Sequence, residues 1–593
     1  MKRKSAVSAL ERTNSSRKAQ KSDSEPPGYE VNSEVEENEE LSFMEGEEHF
    51  DFPATNGEEG ENLIKISKFE PNDKNTVSLG SDVVYGMKKG ETIVCRGQYK
   101  LSVLKGAIRL MGATIHAHPE RYHIHALPSH SLPVIECIQV ENLDLVEETV
   151  IPGTEHLFDE YRAIVRLEPV NCGIESVAEV APVFKNLANL SAPMGTFELL
   201  TKGPETTRLF TPFKTWYDTA YKLLAAMDDS DKPPVMMVTG PKSSGKSTFS
   251  RFLNNFLNSK IDGVYYLELD PGQPEYCIPG TLSLSLTSFN FGLPYTHNPR
   301  DNKAVIKAHA LGDLSPKDQP ELYLSFANDL LRVYQTQLTI KPAPLIINTP
   351  GWARGLGLDL TVQIASDSQL SHVVYLGSHE GQDTMRQALS AVPSFFTPEN
   401  ALVQSWTSKY SSPDLRTLQT ISYFHSLNFN KHLTEISPYS VSYVSSGVKG
   451  LHVQQDEGIL PEDMDICFNG TIVHVVEVEE NVHVETNEST DLPLLKSPQV
   501  ALDPATSKCL GYAIVQSLDK ENQQIRLLTP IDVSGLKKKT LILVRGRLQI
   551  PLWTLWNHKA AKTPSNAPYL SKSGTVGAGS TTQKVRRNIQ RGN

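Results

Sequence analysis

The stretch from Val235 to Thr248, VMMVTGPKSSGKST, constrains the fold of this chain more than any other. Val235 to Val238 read as a short apolar strand. Gly240, four further residues and then Gly245-Lys246-Ser247 match the Walker A phosphate-loop pattern. Directly after it Phe249, Phe252, Leu253, Phe256 and Leu257 recur at i, i+3, i+4, i+7 and i+8, one apolar stripe of an amphipathic helix. The residue types follow from the task. Glycines let backbone N–H groups converge on phosphates, and the helix N-terminus adds partial positive charge. Gly240, Pro241, Lys242, Ser243, Ser244, Gly245, Lys246, Ser247 and Thr248 would form this cradle. Lys246 would bridge the β- and γ-phosphates, and the Ser247 hydroxyl would bind Mg²⁺.

A Mg²⁺ site needs an acid on a neighbouring strand. DGVYYLELDPGQPEY at 262–276 supplies an apolar strand ending at Asp270. Asp270 would hold Mg²⁺ or its water, or accept the proton of an attacking hydroxyl. Glu268, on the same strand face, is the alternative ligand. A plain turn residue ahead of Pro271-Gly272 is the bland reading of Asp270, and the phosphate loop argues against it.

Residues 348–351 read Asn-Thr-Pro-Gly, where a GTPase would carry Asp-Thr-Pro-Gly. A guanine reader of the Asn-Lys-x-Asp type is also missing. Asn302-Lys303 continues Ala-Val and Asn430-Lys431 continues His-Leu. ATP is therefore the expected nucleotide.

Around this core the 593 residues divide by composition. Residues 1–75 read as a disordered tail, basic and Ser-rich, then acidic. Its Lys2-Arg3-Lys4 and Arg17-Lys18 clusters suit a nuclear-import patch or a merely solvated tail. Residues 30–61 hold thirteen acids and no Lys or Arg, so the formal charge of −12 is a property of that tail. Residues 76–200 show short β-type runs and hairpin signals, a small β domain. In 201–440 apolar strands alternate with helical segments, the pattern of a parallel sheet with helices on both faces. Residues 441–556 are again β-rich, and 557–593 form a basic, flexible tail. The expected architecture is an α/β P-loop domain flanked by two smaller β-rich domains, with disordered termini. No apolar run approaches the ~18–20 residues of a membrane span. Six scattered cysteines, none as CxxC, read as reduced core residues. HAHPERYHIHALPSH at 116–130 puts His116/His118 and His123/His125 on shared strand faces, a conceivable metal site but more simply a β surface.

Three motifs in order, GPKSSGKST, LELDPGQPEYCIPGTLSL and LIINTPGWARGLGLDL, resemble the polynucleotide 5′-hydroxyl-kinase family. The likeness spans most of residues 80–555 and is nearest to the fungal nucleolar kinases of pre-ribosomal RNA. It implies ATP-dependent, Mg²⁺-assisted transfer of a phosphoryl group to the 5′-OH end of RNA. It also implies work in the nucleolus on internal transcribed spacer 2, in a stable complex with a HEPN-type endonuclease, and away from membranes. Asp270 matches the aspartate that activates the RNA hydroxyl and supports Mg²⁺. Gln273 matches a segment lining the active site. Thr349 and Trp352 match the clasp, where an aromatic ring stacks on the terminal base, a contact worth ~1–3 kcal/mol per base. SSPDLRTLQTISYFHS at 411–426 resembles the lid over the γ-phosphate, with Arg416 as the transition-state cation. Some relatives carry a second lid arginine. Gln419 and Thr420 stand there in this chain, with Arg354 or Arg386 as possible substitutes. The N-terminal β domain is implied in the adenine pocket, and the basic C-terminal tail in binding the nuclease. A nucleotide-sensing scaffold for an RNA-processing nuclease, with incidental ATPase activity, is the alternative reading.

Overall fold

The structure is a computed structural model. It describes residues 63–139, 147–170, 196–228, 232–292, 304–401, 410–428, 433–444, 447–454, 463–480, 484–486, 492–495, 502–536 and 539–549, with single positions 173, 174, 177, 184 and 187. The expected tails at 1–62 and 557–593, and Cys172, lie outside the described residues.

The N-terminal β region runs through β1 (Leu63–Lys65), β2 (Thr76–Leu79), β3 (Asp82–Met87), β4 (Thr92–Leu110), β5 (Ala113–Ala126), β6 (Val134–Ile138), β7 (Ala163–Pro169), β8 (Phe197–Leu199) and β9 (Lys202–Pro204). The long β4 is its spine, pairing with β5, β6, β7 and β8. The boundary expected at residue 75 falls too late. Leu63–Lys65 pairs with Lys202–Pro204, Phe69 is fully buried, and Ser67 donates its hydroxyl to the Leu200 carbonyl at 2.7 Å. One buried aromatic and a strand pairing order this segment, even though the acidic run before it has few aliphatics.

In the central region β10 (Val235–Thr239), β11 (Val264–Glu268), β12 (Thr281–Thr287), β13 (Val305–Ala310), β14 (Leu345–Asn348), β15 (His372–Tyr375) and β16 (Ser394–Phe396) form one sheet in the order β13-β12-β11-β14-β10-β15-β16. Strands β11, β14, β10, β15 and β16 are parallel, whereas β12 runs against them and pairs antiparallel with both β11 and β13. The expected all-parallel sheet is thus corrected to a mixed one. The cause is the short link after β11. Residues 269–280 contain no crossover helix, and a parallel return needs one.

Both faces are covered, as side chains on each strand alternate between two cores. Met236, Val238, Ile346 and Val374 face a core shared with α2 (Lys214–Asp228; α1 is Glu155–Glu160) and α3 (Lys246–Asn258). Met237, Leu345, Ile347 and Val373 face α4 (Pro320–Gln337), α5 (Leu356–Asp367) and α6 (His379–Ala388). The first core runs without a break into β4 and β5. Trp216 of α2 packs edge-on against Phe249 and Phe252 of α3, and Asn255 donates to the Met111 carbonyl at 3.1 Å. The N-terminal β region is therefore clamped to the phosphate-loop helix.

Helix α7 (Ser412–His425) opens on a capping box at Ser411 and Asp414. Its far end is anchored to the C-terminal β region. That region comprises β17 (Tyr439–Ser442), β18 (Val448–Val453), β19 (Thr471–Val478), β20 (Val484–Thr486), β21 (Pro493–Leu495), β22 (Lys508–Asp519), β23 (Gln524–Leu528) and β24 (Thr540–Arg545). Tyr423 of α7 accepts from the Tyr512 N–H at 2.8 Å, and Tyr512 donates its hydroxyl to the Pro279 carbonyl. No described helix is long and apolar enough to cross a membrane.

Candidate active site

The carboxyl ends of β10, β11 and β14 converge on one place, as open α/β sheets position their ligands. Residues 240–245, 269–276 and 349–352 leave those ends, and α7 closes over them. The phosphate loop carries three positive φ angles, at Gly240 (147°), Ser243 (62°) and Gly245 (95°). Such alternation turns successive N–H groups toward one concavity. Gly240 admits no side chain, since a Cβ there would lie 1.9 Å from the Leu376 carbonyl oxygen.

Lys246 is nearly buried, and its ammonium donates to the Pro241 carbonyl at 2.8 Å. Burial pulls its pKa from the ordinary 10.5 down to about 8, and the Asp270 charge opposes that fall. Asp270 stands opposite it. Its Oδ1 accepts from the Gly272 N–H at 2.9 Å and the Gln273 N–H at 3.3 Å. Burial nevertheless raises the Asp270 carboxyl above its usual range, against the pull of the Gly272 N–H, Lys246, the Gln273 N–H and Arg416. Arg416, on the first half of α7, thus acts electrostatically on Asp270 across the cleft. Gln419, one turn on, donates to the Pro274 carbonyl at 3.0 Å and ties α7 to the segment after β11.

Glu268 has a different role from the metal ligand considered for it. It has no exposed surface. Its Oε1 accepts from the Asp270 N–H at 3.0 Å and the Asn348 amide at 2.8 Å, while Oε2 accepts from the Glu275 N–H at 3.1 Å. Both oxygens are occupied in shaping the loop that carries Asp270. Burial, with Asp270 next, holds its carboxyl well above the usual value.

The expected clasp residues part company. Thr349 is buried, and its hydroxyl donates to the Val238 carbonyl at 3.0 Å. It pins β14 to β10 and offers no surface to RNA, which corrects its assignment as an RNA contact. Trp352 is half-buried, and its backbone and Cβ lie against Gly357, where an added Cβ would come within 2.2 Å of the Trp352 Cβ. The corner at 349–352 touches the phosphate loop directly. A Cβ on Gly351 would come within 2.8 Å of the Lys242 Cα.

Behind the loop lies a cavity of about 190 Å³. Ser247, Thr248 and Arg251 of α3, Gln273 and Glu275, Leu415, Leu418, Gln419 and Ser422 of α7, and Leu127, Ser129, His130 and Ser131 with Phe210 from the β region line it. The buried Arg251 guanidinium grips Glu275 at 2.7 and 3.2 Å, and Asn290 donates to the same carboxylate at 3.2 Å. His130 at the wall is pushed down to about 3 by burial, with Arg251 and Arg208 adding to the effect, so it stays neutral. The Arg251–Glu275 pair was not singled out from sequence. A signal existed, since an arginine inside the FSRFLNN stripe must be matched by an acid once the helix is covered. On β5 the rings of His123 and His125 stack, with centroids 6.3 Å apart. Among the described residues no group of three His, Cys, Asp or Glu is disposed to hold a metal.

For Mg²⁺ the donor set at the loop fits. Ser247, the second residue of α3, carries a hydroxyl, and Asp270, two residues past the end of β11, carries a carboxylate, both hard oxygen donors.

Comparison with known proteins agrees with this geometry. Residues 240–426 match the model of the mRNA cleavage and polyadenylation factor CLP1 P-loop family. Polynucleotide 5′-hydroxyl-kinase GRC3 of Gibberella zeae is 30% identical over 539 residues, covering 80% of this chain and 71% of that protein. The chain belongs to the Grc3 polynucleotide 5′-hydroxyl-kinase family. Its namesake in Aspergillus oryzae is 29% identical over 569 residues, covering 79% of this chain and 66% of that one. The chain thus spans about two thirds of the length of these curated Grc3 relatives. Among solved structures, Clp1p from a Clp1p–Pcf11p complex superimposes with a TM-score of 0.48 at 15% identity, over 80% of this chain and 98% of that one. In this Grc3-family chain the family-model match runs from the first glycine of the phosphate loop to the end of α7.

Proposed function

We propose that this protein transfers the γ-phosphoryl group of ATP to the 5′-hydroxyl end of RNA. One observation carries the reading. Asp270 feels the charges of both Lys246 and Arg416, its Oδ1 held by two backbone N–H groups, its Oδ2 without a hydrogen bond among the described residues. A carboxyl placed so, and raised above its usual range, suits an acceptor of a hydroxyl proton.

In the proposed step the 5′-oxygen attacks the γ-phosphorus, and its proton passes to Asp270. The bond from the γ-phosphorus to the β–γ bridging oxygen breaks, and its electron pair leaves with ADP. Lys246 and Arg416 neutralise charge on the transferring group. Positioning and electrostatics of this kind account for most of phosphoryl-transfer catalysis. Ser247 and Asp270 would hold Mg²⁺, which would supply charge neutralisation for the phosphates. Trp352 would stack on the first base, and Gln273 would contact the RNA end from the cavity wall.

A 5′-hydroxyl end is the product of an endonuclease, so a reaction of that class must supply this substrate. Family membership supports a HEPN-type endonuclease partner, internal transcribed spacer 2 of pre-rRNA as substrate and the nucleolus as location. Co-purification of the full chain with such a nuclease, and its position in fixed cells, test this extension. The core reading is tested by transfer of γ-labelled phosphate to a 5′-hydroxyl oligoribonucleotide. Wild type is expected to transfer label and Lys246→Ala to lose it. Equal transfer by both would refute the site, and phosphate release without labelled RNA would make the protein a plain ATPase.

A further inference from the structure

The phosphoryl-transfer site as built so far has one cation on its lid. The positions where a second could stand are spent. Gln419 is bound to the Pro274 carbonyl, and Thr420 donates to the Arg416 carbonyl at 3.0 Å. Arg354, mostly exposed, points to Glu380 at 3.6 Å. Arg386 lies over the Phe395 ring, 4.5 Å from its centroid. None of these four places a second charge beside Asp270.

The phosphate loop itself carries a candidate. Lys242 is exposed, and among the described residues no ion pair, hydrogen bond or ring contact engages its side chain. An exposed lysine is ordinarily just a solvated charge. Its place sets this one apart. The Lys246 ammonium, which must bridge the β- and γ-phosphates, reaches the carbonyl of Pro241, the residue just before Lys242. On its other side Lys242 meets Gly351, whose Cβ position lies 2.8 Å from the Lys242 Cα and 2.9 Å from its nitrogen. Gly351 precedes Trp352, the proposed seat of the RNA end. Lys242 therefore stands between the phosphate loop and the corner that carries Trp352, next to the left-handed Ser243.

We propose that Lys242 is the second cation of the transfer site, contacting the γ-phosphoryl oxygens as the group passes to the acceptor. This rests on the kinase reading above. As the β–γ bond breaks and its electron pair leaves with ADP, charge spreads over the three equatorial oxygens. Arg416 meets them from the lid and Lys242 from the loop, so the single lid arginine suffices. An unpaired ammonium gives up no partner when it is redirected there, only its rotamer freedom.

Two measurements on the full chain test this, on wild type, Lys242→Met and Lys242→Arg. Melting temperature should be unchanged, because the side chain is exposed and unpartnered. Lys242→Met should lower kcat for RNA labelling about 100-fold, with KM for ATP changed less than about threefold, and Lys242→Arg should recover most of that loss. Affinity for Mg²⁺, ADP and aluminium fluoride together should fall in Lys242→Met, with affinity for Mg²⁺ and ADP unchanged. A kcat within about twofold of wild type, or a loss confined to KM for RNA, overturns the proposal. Suppose wild type labels no RNA, yet Lys242→Met still weakens the aluminium fluoride complex. Then the acceptor assignment fails and Lys242 keeps its role. If wild type labels RNA and Lys242→Met matches it in both measurements, Lys242 is wrong and the kinase reading survives.

Discussion

Asn348 donates its side-chain amide to Glu268 Oε1 at 2.8 Å, and neither side chain has any exposed surface. The amide that replaces the acid of a GTPase switch is therefore a brace. Through Glu268 it fixes the N–H groups of Asp270 and Glu275, and through Glu275 it reaches Arg251 on the phosphate-loop helix. The end of β14 thus holds the end of β11 in register with α3.

Asn348→Asp should be strongly damaging. It sets a second carboxyl against Glu268 where neither can reach water, removing a donor and adding repulsion. We expect a loss of about 2–4 kcal/mol in chemical denaturation and a fall in RNA labelling. Wild-type stability in this variant would disprove the brace.

ATP binding should weaken as pH rises through about 8, where the buried Lys246 loses its proton in the nucleotide-free protein. The sign for stability is opposite. The folded pKa lies below the unfolded value, so the unfolded chain binds more protons between about 8 and 10.5, and this group's contribution to stability rises with pH there. Nucleotide titration from neutral to alkaline pH checks the first point. The alkaline limb should vanish in Lys246→Arg, whose guanidinium stays charged.

Asp329 binds two cations, Lys307 at 2.7 Å and Arg332 at 3.0 Å, and the His309 ring at 2.8 Å, whose own pKa burial lowers, with only 5% of its side chain exposed. Lys307 also donates to the Pro504 carbonyl at 2.7 Å, so the cluster joins the central sheet to the C-terminal β region. Burial opposes the Asp329 charge, but hydrogen bonds from His309 and Lys307 prevail and hold its pKa below the ordinary value. Its stabilisation is present above the unfolded value near 3.9 and lost as pH falls below it. Asp329→Asn should cost about 3–5 kcal/mol in denaturant unfolding, since it strands buried positive charge.

Trp352→Ala should raise KM for RNA by the worth of one stacked base, about 1–3 kcal/mol, with ATP affinity unchanged. Trp352→Phe should retain most of the contact. A variant with unaltered RNA kinetics would leave the indole without a part in holding RNA.

Much of the site was legible because its parts are local. Strand, glycine loop and amphipathic helix lie within Val235–Leu257, and Asp270 follows an obvious apolar strand. What sequence could not show depends on partners far along the chain. Thr349 follows a strand and could equally face solvent. Only the pairing of β14 with β10 directs its hydroxyl to Val238. TLSLSLT at 281–287 alternates like any half-buried strand, and its antiparallel sense is set by the link before it. The division at residue 200 is compositional and leaves no gap in packing, as Trp216, Phe252 and Met111 belong to one core.

The most direct test is mass spectrometry of a short 5′-hydroxyl oligoribonucleotide incubated with the full-length protein, ATP and Mg²⁺. The account predicts that wild type adds one phosphoryl group at the 5′ end and that Asp270→Asn leaves the oligonucleotide unchanged. An unmodified wild-type product accompanied by free phosphate, or equal modification by Asp270→Asn, would contradict it.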